Sequence, residues 1–359
     1  MTINLSLLKV THRASVTSLP CESGAELSAP PRFAVDDRSV PDYSPRPMTP
    51  ICGAINVSWE EAALTSAVCA DPDDDTPRVV FADWLDEHGR HARAEFIRVQ
   101  CELAKIFPDD RNWAALYHRE QALWAKHWSE WERPFQRLGY AGMTFRRGFP
   151  WRVVLWPSQT DADADEIFAH CPTVEDVNFS DLMWSHVRSL VTSELPGRFS
   201  GVHFIASDIH PAGCTLLARE CSWLSGIQRL NLSGNQIGPE GAESLAHSQA
   251  LSQHKVALEE LHLNFNRLND AGLAAISSSS VASRLRVLGL TANNITDYGA
   301  EEIIRGPRFS SLEVLDLRDN LLTPQGISAI VHSSHLPCVR VLGLGGIFAA
   351  REQWIEAGY

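Results

Sequence analysis

Between residues 227 and 322 apolar and polar positions follow one design four times: IQRLNLSGNQI, LEELHLNFNRL, LRVLGLTANNI and LEVLDLRDNLL. Each fits LxxLxLxxNxL, with its second leucine at 230, 261, 288 or 315, so the steps are 31, 27 and 27 residues. Asn235, Asn266, Asn293 and Asn320 recur with these steps, as do Gly241, Gly272, Gly299 and Gly326. The LxL alternation predicts a short strand with leucines inward and the intervening residue outward. The asparagine turns the chain inward, where its amide can satisfy backbone groups that a coil leaves unpaired. Gly238-Pro239 and Thr323-Pro324 read as helix starts. Leu245, Ile276, Ile303 and Ile330 fill the core from the helix side, and the repeated glycine lets helix and strand approach closely. One such unit cannot bury both faces alone, so stability comes from stacking.

Weaker copies flank the four. Val202, Phe204, Ile209 and Gly213 match upstream, as do Val177 and Phe179; FPWRVVLW supplies a first strand. Downstream, VRVLGLGGI carries Ile347 where the asparagine belongs, as a closing repeat would. The solenoid thus spans about 145 to 350, inside a domain drawn as 145–359.

Ahead of it the period becomes helical. SWEEAALTSAV opens with Ser58 and Glu61 in capping-box spacing and continues with Leu64, Ala67 and Val68. ADPDDDTPRVVFADWLDEHG holds the second helix, with Thr76 as cap and Pro77 as first helical residue. RAEFIRVQCELAKI presents Phe96, Val99 and Leu103 on one face of the third. A longer helix from about 110 carries Tyr117, Gln121, Trp124, Trp128, Trp131 and Phe135 at three-to-four spacing and ends at Pro134. That stripe is read as a face packing on the first repeat. Residues 58–107 form a small helical module and 108–144 a connecting tryptophan-rich helix that caps the solenoid. Residues 1–57, with seven prolines and little apolar periodicity, are read as a disordered tail or, given Met48, as a mis-assigned start.

The repeats resemble leucine-rich repeats, and the 27-to-28-residue period with a helix per unit resembles the ribonuclease-inhibitor-like class. The resemblance implies short parallel strands inside and helices outside, an α/β fold. The preceding ADPDDDTPR, FADWLDEHG and RAEFIRVQCEL, with FRRGFPWRVVL at 145–155, resemble the bacterial repeat-companion domain, which brings no activity to carry over to any residue.

Composition narrows the function. A net charge of −13 argues against nucleic acid or anionic membrane as partner. No stretch reaches the length of a membrane span, and the start makes a poor signal peptide. Eight scattered cysteines without CxxC or Cys/His spacing read as free buried thiols in a reducing, cytoplasmic setting, with no metal and no cofactor. Asp71, Asp73 and Asp75 fit the first positions of a calcium loop, but Thr76 replaces its glycine and Ala82 its glutamate, so those aspartates read as favouring a helix start.

The outward strand row reads His203, Asn231, His262, Gly289, Asp316 and Gly343. His262 and Asp316, two strands apart, are separated by roughly 10 Å, too far for a base and its orienting carboxylate. The chain is therefore expected not to be an enzyme. Its partner is expected to be a protein bound on the concave face by Arg229, Asn231, Glu260, His262, Asn264, Phe265, Asp316, Arg318 and Asp319, with Phe265 as anchor. A monomer is expected. The alternative is a GTPase activator of the Ran-activator type, which uses similar repeats.

Overall fold

The computed structural model describes residues 58–106, 110–136, 141–156, 164–180, 182–193, 195–252, 258–305 and 307–350. The tail expected at 1–57 lies outside them, as do residues 351–359 and the side chain of Phe135.

Four helices come first: α1 (Trp59–Ala70), α2 (Thr76–Glu87), α3 (His91–Leu103) and α4 (Trp113–Gln136). Ser58 caps α1 by accepting the Glu61 N–H at 3.1 Å. Glu61 does not close the box; its carboxylate pairs with Arg90 at 3.0 Å. The start of α2 differs from expectation by one turn position. Thr76 is already helical and the N-cap is Asp75, which makes no side-chain cap bond; Asp74 Oδ1 accepts instead from the Thr76 N–H at 2.9 Å and its hydroxyl at 2.8 Å. The other aspartates hold a cation of the chain's own. Arg147 donates to the Asp73 carbonyl at 2.7 Å and lies 3.6 Å from the carboxylates of Asp73 and Asp75, while Lys105 pairs with Asp75 at 3.0 Å.

Helix α3 is apolar on two sides. Ala94, Ile97 and Cys101 join Val68, Phe81, Ala82 and Leu85 in a small core, whereas Phe96 and Val99 belong to the large one. Helix α4 runs through Pro134 instead of stopping there. Trp131 and Trp124 lie 4.7 and 5.9 Å from Phe96, and Trp124 lies 5.2 Å from Phe145. Trp128 departs from the expected stripe and is 43% exposed. Leu123, outside that stripe, is buried in the large core.

Ten strands follow in one sheet, in chain order: β1 (Gly142–Arg146), β2 (Phe149–Leu155), β3 (Asp176–Phe179), β4 (Gly201–His203), β5 (Arg229–Asn231), β6 (Glu260–His262), β7 (Val287–Gly289), β8 (Val314–Asp316), β9 (Val341–Leu344) and β10 (Ile347–Ala350). Strands β2 to β9 are parallel, and the outer pairs β1–β2 and β9–β10 are antiparallel. The sheet therefore ends in a hairpin on each side, and the expected first strand, FPWRVVLW, is the second. Its hairpin turns at Arg147 and Gly148, both with positive φ. A Cβ on Gly148 would lie 2.6 Å from the Ile97 Cα, so α3 and the turn meet backbone to backbone. Arg93 and Gln100 of α3 bond the Gly148 carbonyl and N–H.

Behind the parallel strands lie α5 (Ala164–His170), α6 (Trp184–Thr192), α7 (His210–Glu220), α8 (Gly238–Ala246), the short α9 (Gln249–Ser252), α10 (Asn269–Ser278), α11 (Asp297–Ile304) and α12 (Pro324–Val331). Helix α9 sits in the repeat that is three to four residues longer than its neighbours. Leu230, Leu261, Leu288 and Leu315 face Leu245, Ile276, Ile303 and Ile330 in one continuous core. The repeated glycine does not serve a helix–strand approach as expected. A Cβ on Gly326 would lie 2.1 Å from Asp297 Oδ1, on the helix of the preceding repeat. That carboxylate accepts from the Thr323 N–H at 2.9 Å and its hydroxyl at 2.5 Å, and Asp270 does the same for Thr296 at 2.8 and 2.7 Å. Gly299 and Gly326 thus clear space for a carboxylate that clamps consecutive helices, whereas a Cβ on Gly241 or Gly272 would meet Cys214, or Pro239 and Ala242, of the preceding helix.

The asparagines form a ladder. Asn266 Oδ1 accepts the N–H of Asn235 at 2.8 Å, Asn293 Oδ1 that of Asn266 at 3.0 Å, and Asn320 Oδ1 that of Asn293 at 2.9 Å. Each amide group also donates to a carbonyl one repeat back: Asn266 to Leu232, Asn293 to Leu263 and Asn320 to Leu290. The fold is a leucine-rich-repeat solenoid preceded by helices.

Candidate functional site

The strand register sets the exposed face. Asp176, Gly201, Arg229, Glu260, Val287, Val314 and Val341 stand side by side, and two residues on stand Asn178, His203, Asn231, His262, Gly289, Asp316 and Gly343. The intervening Val177, Val202, Leu230, Leu261, Leu288, Leu315 and Leu342 are buried, so both rows point away from the core.

Along these rows several of the expected contact residues are engaged within the chain. Arg229 donates to Asp176 Oδ1 at 3.0 and 2.7 Å and to Glu175 at 2.9 Å. Asp316 and Arg318 form a two-pronged pair at 2.9 and 2.7 Å, presenting a neutral unit in place of two separate charges. Asn264 accepts from the Thr291 N–H at 2.9 Å and donates to Ser233 at 3.3 Å, joining three repeats. Asn231 turns back on the Ser233 N–H at 2.9 Å. His262 lies 3.9 Å from Glu260 and shares its strand. Burial alone would raise the Glu260 carboxyl, but His262 and Arg229 outweigh it and hold it below the ordinary carboxylate value.

Phe265 and Asp319 sit where the strands turn. Phe265 is 59% exposed and has φ +57°, a left-handed conformation costly for a bulky side chain. Ala206, Ala292 and Asp319 occupy the corresponding place in other repeats with the same sign of φ, and Gly234 fills it one repeat earlier. The five repeats from β4 to β8 share this backbone, so the phenylalanine is there in spite of local preference. Trp156 and Ile205, also partly exposed, follow β2 and β4 toward the same end of the sheet.

A charged cluster occupies the amino-terminal part of the face. Asp176 is fully buried and takes His203 Nε2 at 2.7 Å, Arg229 as above and Arg152 at 3.4 Å. Burial would raise the Asp176 carboxyl, but the bonds and charges of His203 and Arg229 prevail and keep it below the usual range. Burial, reinforced by Arg152 and His262, lowers the imidazole of His203 against the pull of Asp176. A neutral His203 donating from Nε2 satisfies these conditions, and its buried Nδ1 has no partner. Sequence reasoning saw His203 but missed Asp176 and Arg152. The signal was the register itself, which places Asp176 beside Gly201, whose Cβ would lie 2.3 Å from the carboxylate.

The cluster holds no nucleophile. Burial pushes the thiols of Cys101 and Cys171 up to about 12 and raises those of Cys214 and Cys221 as well, so these four stay protonated and unreactive. No group of His, Cys, Asp and Glu suited to a metal ion occurs among the described residues, and no described helix is long and apolar enough to cross a membrane.

No curated protein matches the chain. A family model described as Leucine Rich repeat matches residues 227–246, 257–277 and 310–331, which are three of the repeats that the sheet displays side by side.

Proposed function

We propose that the chain is a non-catalytic protein-binding module of the ribonuclease-inhibitor-like repeat class, working in the cytoplasm and engaging a protein partner along the outward strand face and its turn-side rim. Leucine-rich repeats generally mediate protein–protein interaction. The observation that carries the reading is Phe265, an exposed aromatic held in a backbone conformation that disfavours it. His262, Glu260 and Asp319 surround the strand ends with groups that are at least partly accessible. The internal pairing of Arg229, and of Asp316 with Arg318, makes these residues a preset frame for the contact more than its free charges. The helices ahead of the solenoid, with their aspartate loop and hairpin, support the repeat-companion reading and act as its amino-terminal cap.

The test is affinity capture with the full chain, comparing wild type with Phe265→Ala and with Tyr298→Ala, a 76% exposed residue on α11. Proteins held by wild type and by Tyr298→Ala but lost from Phe265→Ala would support the face. Equal recovery by all three would move the site elsewhere.

A further inference from the structure

We infer that a cleft between the start of α2 and the first hairpin of the sheet binds one oxyanion, a carboxylate or a phosphoryl group, on Arg78, Arg146 and the indole N–H of Trp151. The cleft has an open volume of about 260 Å³ and is walled by Pro72, Arg78, Arg146, Arg147, Trp151 and Glu175, among others. Its enclosed part is about one water molecule in size, enough for one or two oxygen atoms of a group whose remainder stays outside.

The lining carries donors in excess of acceptors. Arg78 is only 6% exposed; its Nη1 donates to the Asp74 carbonyl at 2.7 Å, but its Nε is buried without a partner. The Trp151 Nε1 is likewise buried and unpartnered. Arg146 lies over the Trp151 ring at 5.3 Å and has no carboxylate partner among the described residues. The carboxylate in the wall, Glu175, is taken by Arg229 at 2.9 Å, and Arg147 is taken by the aspartate loop. Buried donors are almost always paired, and a buried guanidinium needs a counter-charge. Burial, and next the charge of Arg147, lowers the affinity of Arg78 for its proton, and the carboxylates of Asp75 and Glu175 offset this only in part. A metal ion would find no suitable ligand set here, whereas an oxyanion answers both the open N–H groups and the excess of positive charge. The cleft is locally basic in a chain of net charge −13, so its sign is not inherited from the composition.

The two sources of such an oxyanion are a free phosphate and the carboxylate of an acidic peptide. The full chain labelled with ¹⁵N is titrated with inorganic phosphate, and separately with an acetylated peptide ending in glutamate, at ionic strength held constant with chloride. The Trp151 indole resonance, identified by its absence in Trp151→Phe, is followed throughout. A saturable shift absent in chloride alone, and about tenfold weaker in affinity in Arg146→Gln, is expected for at least one probe. Saturation by phosphate only assigns a phosphoryl ligand, and saturation by the peptide only assigns a carboxylate. Absence of a saturable shift with both probes, or unchanged affinity in Arg146→Gln, overturns the inference. Either result leaves capture through Phe265 unaffected, so the two proposals fail separately.

Discussion

His203 Nε2 stands 2.7 Å from Asp176 Oδ2, and the carboxylate it touches is fully buried. Around the pair lie Arg152, Arg229, Glu175, Glu260 and His262. The imidazole is held below its ordinary value of about 6.5, so the unfolded chain binds this proton more readily than the folded one. Stability contributed by neutral His203 is therefore complete above pH 6.5 and falls as the pH drops below it. Chemical denaturation at steps between pH 7.5 and 5 should show that decline in wild type and a flatter profile in His203→Asn. Identical slopes would remove the histidine from the account.

Asp176→Asn should be more damaging at neutral pH. It leaves Arg229 and Arg152 without their shared counter-ion, and breaking a buried pair costs about 3–5 kcal/mol. Urea unfolding at pH 7 measures the loss. A cost below about 1 kcal/mol would mean that Glu175 alone suffices to hold Arg229.

Asn266→Ala should destabilise the solenoid by about 2 kcal/mol, because the N–H of Asn235 loses its acceptor and the carbonyl of Leu232 one of its two donors where water does not reach. Asn320→Ala removes the same kind of bonds from a part-exposed site and should cost less. The comparison, made by urea unfolding, isolates burial as the cause. Equal costs would point to the turn geometry itself.

Phe265→Asn places at a left-handed position a residue that tolerates it. Stability is expected to hold or to rise by about 1 kcal/mol, while partner capture fails. A loss of stability larger than that would assign the ring to packing.

On α4 the two outer tryptophans should part company. Trp131→Ala removes a ring 4.7 Å from Phe96 and 5.1 Å from the Arg93 guanidinium and should cost about 3 kcal/mol. Trp128→Ala should stay within about 0.5 kcal/mol, as for an ordinary surface site. Thermal melts of both variants decide it; a large effect of Trp128 would revive the wider stripe.

The repeats were legible because LxL, asparagine and helix residues recur at fixed offsets, and the same physics acts at each copy. Leu230 and Leu245 needed no structure to be placed in the core. The two terminal hairpins were not legible, since a strand such as GMTFR departs from the repeat pattern and is defined by what it pairs with. The helical stripe misled at Trp128 because a three-to-four rhythm marks a face without saying how wide its cover is. On the outward face, residue types suggested free charges. Arg318 folds back on Asp316 two residues before it, and the register brings Asp176 to Arg229, which spends those charges inside the molecule. The unpaired donors of the basic cleft depend on residues more than seventy positions apart, beyond any local motif.

The asparagine ladder runs in one direction: each later repeat supplies the acceptor for the N–H of the repeat before it. Pulled from its two ends, such a chain has a mechanical polarity. Detaching the last rung strips an acceptor from its neighbour and weakens it in turn, so the molecule should give way from the carboxyl end like a ratchet. Each regular step of 27 residues would release about 90 Å of extended chain.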